Sequence, residues 1–283
     1  MDATPANGRL VVVATPLGNL GDVSERALAV LADADALYCE DTRRTRQLLA
    51  ARRIDAAGRL ESLHEHNEAQ RVAEVVARVA RGETVALVSD AGTPLVSDPG
   101  ARVVAAVAEA GLVVTTVPGP SAVVAALSVS GLAGERFCFE GFFPRRAAEQ
   151  RARLEEWARE TRTVVFFESP RRLGATLATL AARFPDRSAA VVRELTKLYE
   201  EVARGPLGEL AARFSGEVRG EVVVVLGGAG AAEAPSREAL EVALATALAR
   251  GASTREAVAE VAGALGVARR EVYDVALSLR RRP

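Results

Sequence analysis

The sequence predicts an α/β protein with two α/β domains, over 1–118 and 119–228, and a small helical domain over 229–283. Three observations lead there. From Arg9 onward, short continuous apolar runs alternate with helical text, the pattern of a mostly parallel sheet covered on both faces. After Pro118-Gly119-Pro120 the chain offers more strands per helix, which predicts a mixed sheet. Finally, "GGAGAAEAP" (Gly227–Pro235) reads as a linker to three short helices.

The elements follow in order. "RLVVVAT" (Arg9–Thr15) is a buried strand and "PLGNLGD" a Gly-rich turn. A helix is expected from Asp22, which makes a capping box with Glu25. "ALYCE" is a second strand and "DTRRTRQLLAARR" a basic helix. "RLESLHEH" is strand-like, so His64 and His66 fall on one face of it, and Asn67–Arg81 is helical. "TVALVSD" is a strand, followed by a helix capped by Asp98 with Pro99 at its first position. "LVVTTVPGP" is a strand that runs into a break.

In the second half, Ser121 caps "AVVAALSVSG". The strand "RFCFEGF", a helix through Trp157 and the strand "TRTVVFFES" come next. Ser169-Pro170 opens another helix. "SAAVVREL" and "LYEEVARG" are close enough to pair as a hairpin, and "PLGELAARF" and "EVVVVLGG" complete the unit. In the tail, Ser253 and Glu256 form a capping box and the helix ends at Gly266. A further helix from Ala268 spaces Val272, Tyr273, Ala276 and Leu279 as one apolar face. This matches either a helix-turn-helix or a plain three-helix cap.

The bulk numbers exclude several classes. The chain has 283 residues, 49% hydrophobic and 26% charged, as a globular protein does. A net charge of −1 is not that of a polybasic nucleic-acid binder. "MDATPANG" carries no apolar leader, and no run is long enough to span a bilayer, so a cytoplasmic protein without a membrane partner is expected. Cys39 and Cys138 sit in strand-like text and read as buried free thiols. Of 36 Lys plus Arg, Lys197 is the single lysine, a hint that arginine would not serve there.

Familiar signatures are missing: a Walker lysine loop, G-x-G-x-x-G after a strand, H-E-x-x-H and G-x-S-x-G. "HEHNE" lacks a third soft ligand, so no metal is expected. What remains is a set of turns at strand ends: "TPLGNLGD", "CEDTRRT", "HEHNE", "SDAGTP", "PGPSA", "FFESPRR" and "VRELTK". Their rigid Pro-Gly text, with few solvating charges, suits close backbone approach to a ligand.

In this order and spacing, "ATPLGNLGD", "CEDTRRT", "SLHEHNE", "VSDAGTPLVSDPG", "VPGPSA", "RFCFEGFFPR", "FFESPRRL", "VRELTK" and "GEVVVVLGG" resemble the tetrapyrrole-methylase superfamily of S-adenosylmethionine enzymes. Within it they resemble the branch that methylates the ribose 2′-hydroxyl of a decoding-centre cytidine in bacterial 16S rRNA. The resemblance runs from about Leu10 to Gly228 and implies a homodimer with S-adenosylmethionine in a cleft between two α/β domains. It carries cofactor roles onto Pro16, Leu17 and Gly18; onto Asp90, Gly92, Thr93, Pro94 and Val96; onto Ser121 and Ala122; and onto Phe167, Arg193, Leu195, Glu221 and Val222 on the adenine side. Tetrapyrrole members carry G-G-D-P at the loop, where this chain has Ala91-Gly92-Thr93-Pro94.

Chemistry refines the expectation. Acids such as Asp90 or Glu168 suit a sulfonium, and helix starts at Asp98 and Ser121 suit a carboxylate. Arg43, Arg44, Arg46, Arg145, Arg146, Arg171 and Arg172 stand beside cleft turns as candidate phosphate clamps on 16S rRNA or the small ribosomal subunit. A ribose hydroxyl must lose its proton, and His64, His66, Glu68, Glu168 and Lys197 are candidate acceptors. Lys197 leads on its solitude in an Arg-rich chain, with His66 and Glu168 behind it. A tetrapyrrole methyltransferase and a non-catalytic ribosome-binding protein are the alternatives.

Overall fold

The computed structural model describes residues 8–56, 58–230, 237–265 and 267–280. The chain divides into two compact units, Met1–Gly227 and Gly228–Pro283. The first holds two five-stranded sheets.

Its first half runs β1 (Arg9–Val13), α1 (Glu25–Asp33), β2 (Ala36–Cys39), α2 (Thr42–Ala51), β3 (Leu60–Ser62), α3 (Glu68–Ala80), β4 (Thr84–Val88), α4 (Ala101–Glu109) and β5 (Val113–Val117). The sheet order is β3-β2-β4-β1-β5, parallel throughout. Alternate residues serve opposite faces. Leu10, Val12, Tyr38, Val85 and Leu87 pack under α3 and α4, while Val11, Val13, Leu37, Cys39, Ala86 and Val88 pack under α1 and α2. Both faces being buried explains the continuous apolar strand text.

The second half runs α5 (Ala122–Ser130), β6 (Phe137–Phe142), α6 (Ala147–Trp157), β7 (Thr163–Glu168), α7 (Leu173–Arg183), β8 (Ser188–Arg193), β9 (Glu201–Pro206), α8 (Leu207–Arg213) and β10 (Val222–Leu226). Its sheet, β6-β7-β10-β8-β9, is mixed: β6 and β7 are parallel and the other pairs antiparallel. The expected hairpin is β8–β9, registered from Ser188 against Pro206 to Arg193 against Glu201. Val164, Phe166, Val191 and Val224 face α7 and α8; Val165, Val192, Val223 and Val225 face α5. Each such buried side chain contributes about 1.5–3 kcal/mol over an exposed one.

The second unit packs α9 (Arg237–Ala249), α10 (Thr254–Leu265) and α11 (Arg269–Arg280) around Leu240, Leu244, Val258, Val261, Val272 and Ala276. The Ser253–Glu256 box is present: the Ser253 N–H donates to Glu256 Oε2 at 2.9 Å, and the Glu256 N–H donates to Ser253 Oγ at 3.4 Å. Tyr273 is 49% exposed, and Val275 takes the core place expected of it. Gly266 and most of the expected linker lie outside the described residues.

Several local expectations are corrected. Ser24, not Asp22, caps α1, accepting from the Ala27 N–H at 3.1 Å; Asp22 ends a short 3-10 turn over Leu20–Asp22. β3 stops at Ser62, so His64 and His66 lie in the following turn and not on a strand. Asp98 does not cap α4. That helix starts at Ala101, and the Glu68 carboxylate reaches across from α3 to accept from the Gly100 N–H at 3.0 Å and the Arg102 N–H at 2.8 Å. Ser169-Pro170 forms a turn ahead of α7, whose first helical residue is Leu173. Cys39 is buried, while Cys138 is only half-buried; both are free thiols.

Candidate functional site

The carboxyl ends of parallel strands are where such sheets bind ligands. Leu17 follows β1, Glu40 follows β2, and Asp90 and Ala91 follow β4. These residues form one wall of a cleft of about 390 Å³. The second sheet forms the other, with Phe142 ending β6, Phe167 and Glu168 ending β7, Leu195 beyond β8, and Gly220 to Val223 entering β10. The volume falls within the roughly 300–1,000 Å³ of small-molecule sites.

Backbone strain gathers at the same place. Among the described non-glycine residues, five have positive φ. Leu95 (76°) and Ser97 (66°) lie in the loop after β4, and Glu194 (51°) and Thr196 (66°) in the loop after β8. Each costs about 1–3 kcal/mol, a cost that concentrates where a loop's shape serves a ligand.

The cleft is apolar on one flank, with Phe142 and Phe167 edge-to-face at 5.6 Å, and acidic on the other. Partial burial, together with the neighbouring Asp90 and Asp98, pushes the Glu40 carboxyl up, against the pull of Arg44 and His64. Burial likewise raises Asp98, although Ser89 Oγ donates to it. Asp90 accepts from the Asp41 N–H at 2.9 Å and stands 3.7 Å from Arg44 Nε.

Of the residues assigned to the cofactor by resemblance, Leu17, Asp90, Ala122, Phe167, Leu195, Glu221 and Val222 line the cleft. Pro16 and Gly18 line an adjoining recess with Arg44 and Asp90. Gly92 exchanges both backbone hydrogen bonds with Thr15, at 2.9 and 3.0 Å, and holds φ +84°. Thr93 Oγ1 donates to the Pro120 carbonyl at 2.9 Å, and Pro94 packs beside Asp98. Val96 packs on the core under the second sheet. Ser121 precedes α5 without a side-chain cap, which leaves that helix start open, whereas Glu68 occupies the start of α4. Arg193 turns away: its guanidinium pairs with Glu201 at 2.7 Å and donates to the Arg219 carbonyl.

The expected proton acceptors fare differently. Burial alone would lower the Lys197 ammonium, but Glu194 at 2.8 Å and Glu221 at 3.1 Å outweigh it and hold the pKa above the ordinary lysine value. That is the opposite of what a neutral base needs. Glu168 is buried and committed, accepting from the Ser169 N–H at 2.7 Å and Thr176 Oγ1 at 2.5 Å, with Arg172 at 3.3 Å. His66 is exposed in its turn, 6.0 Å from the His64 ring, and neither lines the cleft. Glu68 is spent on α4.

Among the candidate phosphate clamps, Arg44 lines the cleft itself. Arg43 pairs with Asp41, the cap of its own helix, and Arg146 with Glu149 at 3.3 Å. Arg172 is structural, donating to the carbonyls of Phe143 and Pro144 at 3.0 and 2.8 Å. Arg46, Arg145 and Arg171 are exposed. Sequence reasoning passed over Glu40, Phe142 and Gly220. The first two were legible, Glu40 inside "CEDTRRT" and Phe142 closing "RFCFEGF".

Among the described residues no group of three or more His, Cys, Asp or Glu is placed to hold a metal ion, and no helix is long and apolar enough to cross a membrane.

Residues 9–211 match the model of the tetrapyrrole (corrin/porphyrin) methylases. A curated relative from Mycobacterium tuberculosis (strain CDC 1551 / Oshkosh), ribosomal RNA small subunit methyltransferase I, is 50% identical over 98% of this chain and 97% of its own length. A relative of the same name from Micromonospora olivasterospora is 46% identical over 91% of this chain and 83% of its own. Among solved structures, the methyltransferase CobJ superposes with a TM-score of 0.57 at 22% identity, covering 78% of this chain and 95% of its own. Cobalt precorrin-4 methyltransferase superposes at 0.58 and 17%, covering 80% and 98%. At these identities the likeness is one of fold.

Proposed function

The chain belongs to the tetrapyrrole (corrin/porphyrin) methylase family, and from that premise we propose that it methylates small-subunit ribosomal RNA, using S-adenosylmethionine, at the ribose 2′-hydroxyl of a decoding-centre cytidine. The observation that carries this reading is the near full-length match to relatives named as small-subunit rRNA methyltransferases, combined with an intact cleft.

The cleft fits the donor. Phe142, Phe167, Leu195 and Val222 offer an apolar flank for adenine, and Glu40, Asp90 and Asp98 offer negative charge for a sulfonium. The start of α5 at Ser121 and Ala122, which no side chain caps, suits a carboxylate. When bound, the donor supplies an electrophilic methyl group. The protein's part is alignment, exclusion of water by the aromatic flank, and removal of the hydroxyl proton. Glu40 suits the last task, because it lines the cleft and its side chain has no hydrogen bond or ion pair among the described residues. Lys197 instead holds Glu221 in position. The reading carries a cytoplasmic homodimer with it, which sedimentation would measure.

The test incubates the protein with methyl-labelled donor and, separately, immature small subunits, naked 16S rRNA and a porphyrin precursor. Label is expected in RNA, in an alkali-resistant dinucleotide, because a 2′-O-methyl group blocks hydrolysis of the adjoining phosphodiester. Label in the porphyrin alone would overturn the reading.

A further inference from the structure

A groove larger than the cleft opens beside it, about 750 Å³. Pro170 and Gly220 line both, so the two spaces adjoin at these residues. Its floor is made of small residues. Ala175 and Ala178, three apart on α7, are exposed into it, and a Cβ added at Gly216 would meet nothing within 4 Å.

The two spaces differ in charge. Glu40, Asp90, Asp98, Glu168 and Glu221 line the cleft with one guanidinium, Arg44, while Glu168 and Glu221 are paired from outside the lining by Arg172 and Lys197. The groove has Arg171 and Arg219 against Glu217. Arg171 makes no ion pair or hydrogen bond from its side chain among the described residues, and the Arg219 side chain is 84% exposed with only Glu217 beside it, at 3.3 Å. Past Glu217 the surface continues into a recess of about 460 Å³ that Arg193 and Arg213 line, both tied to Glu201. An acidic pocket favours a cationic donor and repels a polyanion, while a neighbouring channel with exposed guanidiniums, Arg171 unpaired and Arg219 held only by an exposed Glu217, attracts one.

We propose that this groove holds the sugar-phosphate backbone of the RNA strand that continues from the target nucleotide, with Arg171 and Arg219 on successive phosphates and the Ala175–Ala178 floor allowing the backbone to lie close. The proposal rests on the RNA methyltransferase reading. It also accounts for a neutral chain acting on RNA, since binding needs only a local cationic track.

The test uses the full-length protein, a 16S-derived RNA containing the target, and intact small subunits. Three variants are compared with wild type: Arg171→Glu with Arg219→Glu; Ala178→Glu, which places a carboxylate on the floor; and Arg151→Glu as a control on exposed α6. The first two are expected to weaken RNA affinity by about tenfold or more at low salt. The slope of log affinity against log salt should fall by about 2 in the double variant. Donor affinity by calorimetry and the thermal midpoint should hold, and a double Arg→Lys variant should retain most RNA binding. Wild-type RNA affinity and slope in both groove variants, with the donor still bound, would overturn the proposal. So would loss of binding to the particle with naked RNA unaffected, since the groove would then take a ribosomal protein. A wild-type protein that labels no RNA would instead sink the functional reading beneath it.

Discussion

The methylene stem of Lys197 lies over the bare α-carbon of Gly18. A Cβ added to Gly18 would stand 2.6 Å from Lys197 Cγ and 2.7 Å from Cε. Gly18 follows the first strand of one sheet, and Lys197 follows β8 of the other. The ammonium ends between Glu194 and Glu221, and Glu221 lines the cleft. Lys197 therefore ties the Gly-rich turn to the cleft wall that carries Glu221. Any side chain at position 18 would collide with that stem.

Lys197→Met should accordingly weaken donor binding and lower stability without abolishing proton removal. Because the folded pKa is raised, the lysine's contribution is complete below its ordinary value of 10.5 and is lost only as pH rises through the higher folded value. The stability difference between variant and wild type should be equal at pH 6 and pH 8, and shrink only above 10.5. A difference that changes between pH 6 and pH 8 in urea titrations would refute this.

Gly92→Val should abolish donor binding while the protein remains folded. Gly92 holds φ +84°, where a β-branched residue is strained, and its Cβ would meet Leu17 Cδ2 at 3.2 Å. Both its backbone hydrogen bonds go to Thr15, so the strain passes directly into the neighbouring turn. Calorimetry with the donor checks it, alongside a circular dichroism spectrum matching wild type.

The inner strands were legible because burial on both faces keeps them almost wholly apolar; β4 reads "TVALV" from Thr84 to Val88, whereas β9 at a sheet edge, "EVARGP", mixes charged and apolar residues. The helix starts were less so. Asp98-Pro99 has the composition of a cap, yet the cap of α4 is Glu68, brought over by tertiary packing that no local window contains. The cleft turns were legible as motifs, since Pro and Gly mark them. Side-chain assignments within them were not. "VRELTK" contains Glu194, one partner of Lys197, but it does not reveal that Arg193 turns to Glu201 or that Lys197 also meets Glu221, because those two partners come from other strands and loops. Arg172 misled for the same reason: one of a basic pair at a helix start, it is spent on two carbonyls beyond β6.

Glu68→Ala should destabilise the protein by about 2 kcal/mol, as it removes the acceptor of two N–H groups at the start of α4. Gln at the same position keeps a carbonyl oxygen and should recover about half of the loss. Asp98→Ala should leave α4 formed, because its carboxyl accepts from Ser89 and not from the helix. Denaturant midpoints rank the three, and an Asp98 variant as unstable as Glu68→Ala would return the cap to Asp98.

Glu40→Gln should make the protein more stable and less active at once. The carboxyl is raised by partial burial and then by Asp90 and Asp98; Arg44 and His64 face it and offset only part of this. In the unfolded chain Glu40 ionises at its ordinary value of 4.5, while in the folded chain it holds its proton to higher pH. Over that interval the folded state binds more protons, so wild-type stability falls as pH rises, and above the interval it stays lowered. Glutamine carries no charge to strain against the two aspartates. The variant should therefore match wild type near pH 4 and exceed it at pH 8. Its single-turnover methylation rate on RNA should drop by about 100-fold or more, with donor affinity changed far less, if Glu40 takes the hydroxyl proton. Melting midpoints at both pH values and a single-turnover assay give both readouts. A wild-type rate would remove Glu40 from the chemistry, and equal midpoints at pH 8 would show that its carboxyl is not held at a cost to the fold.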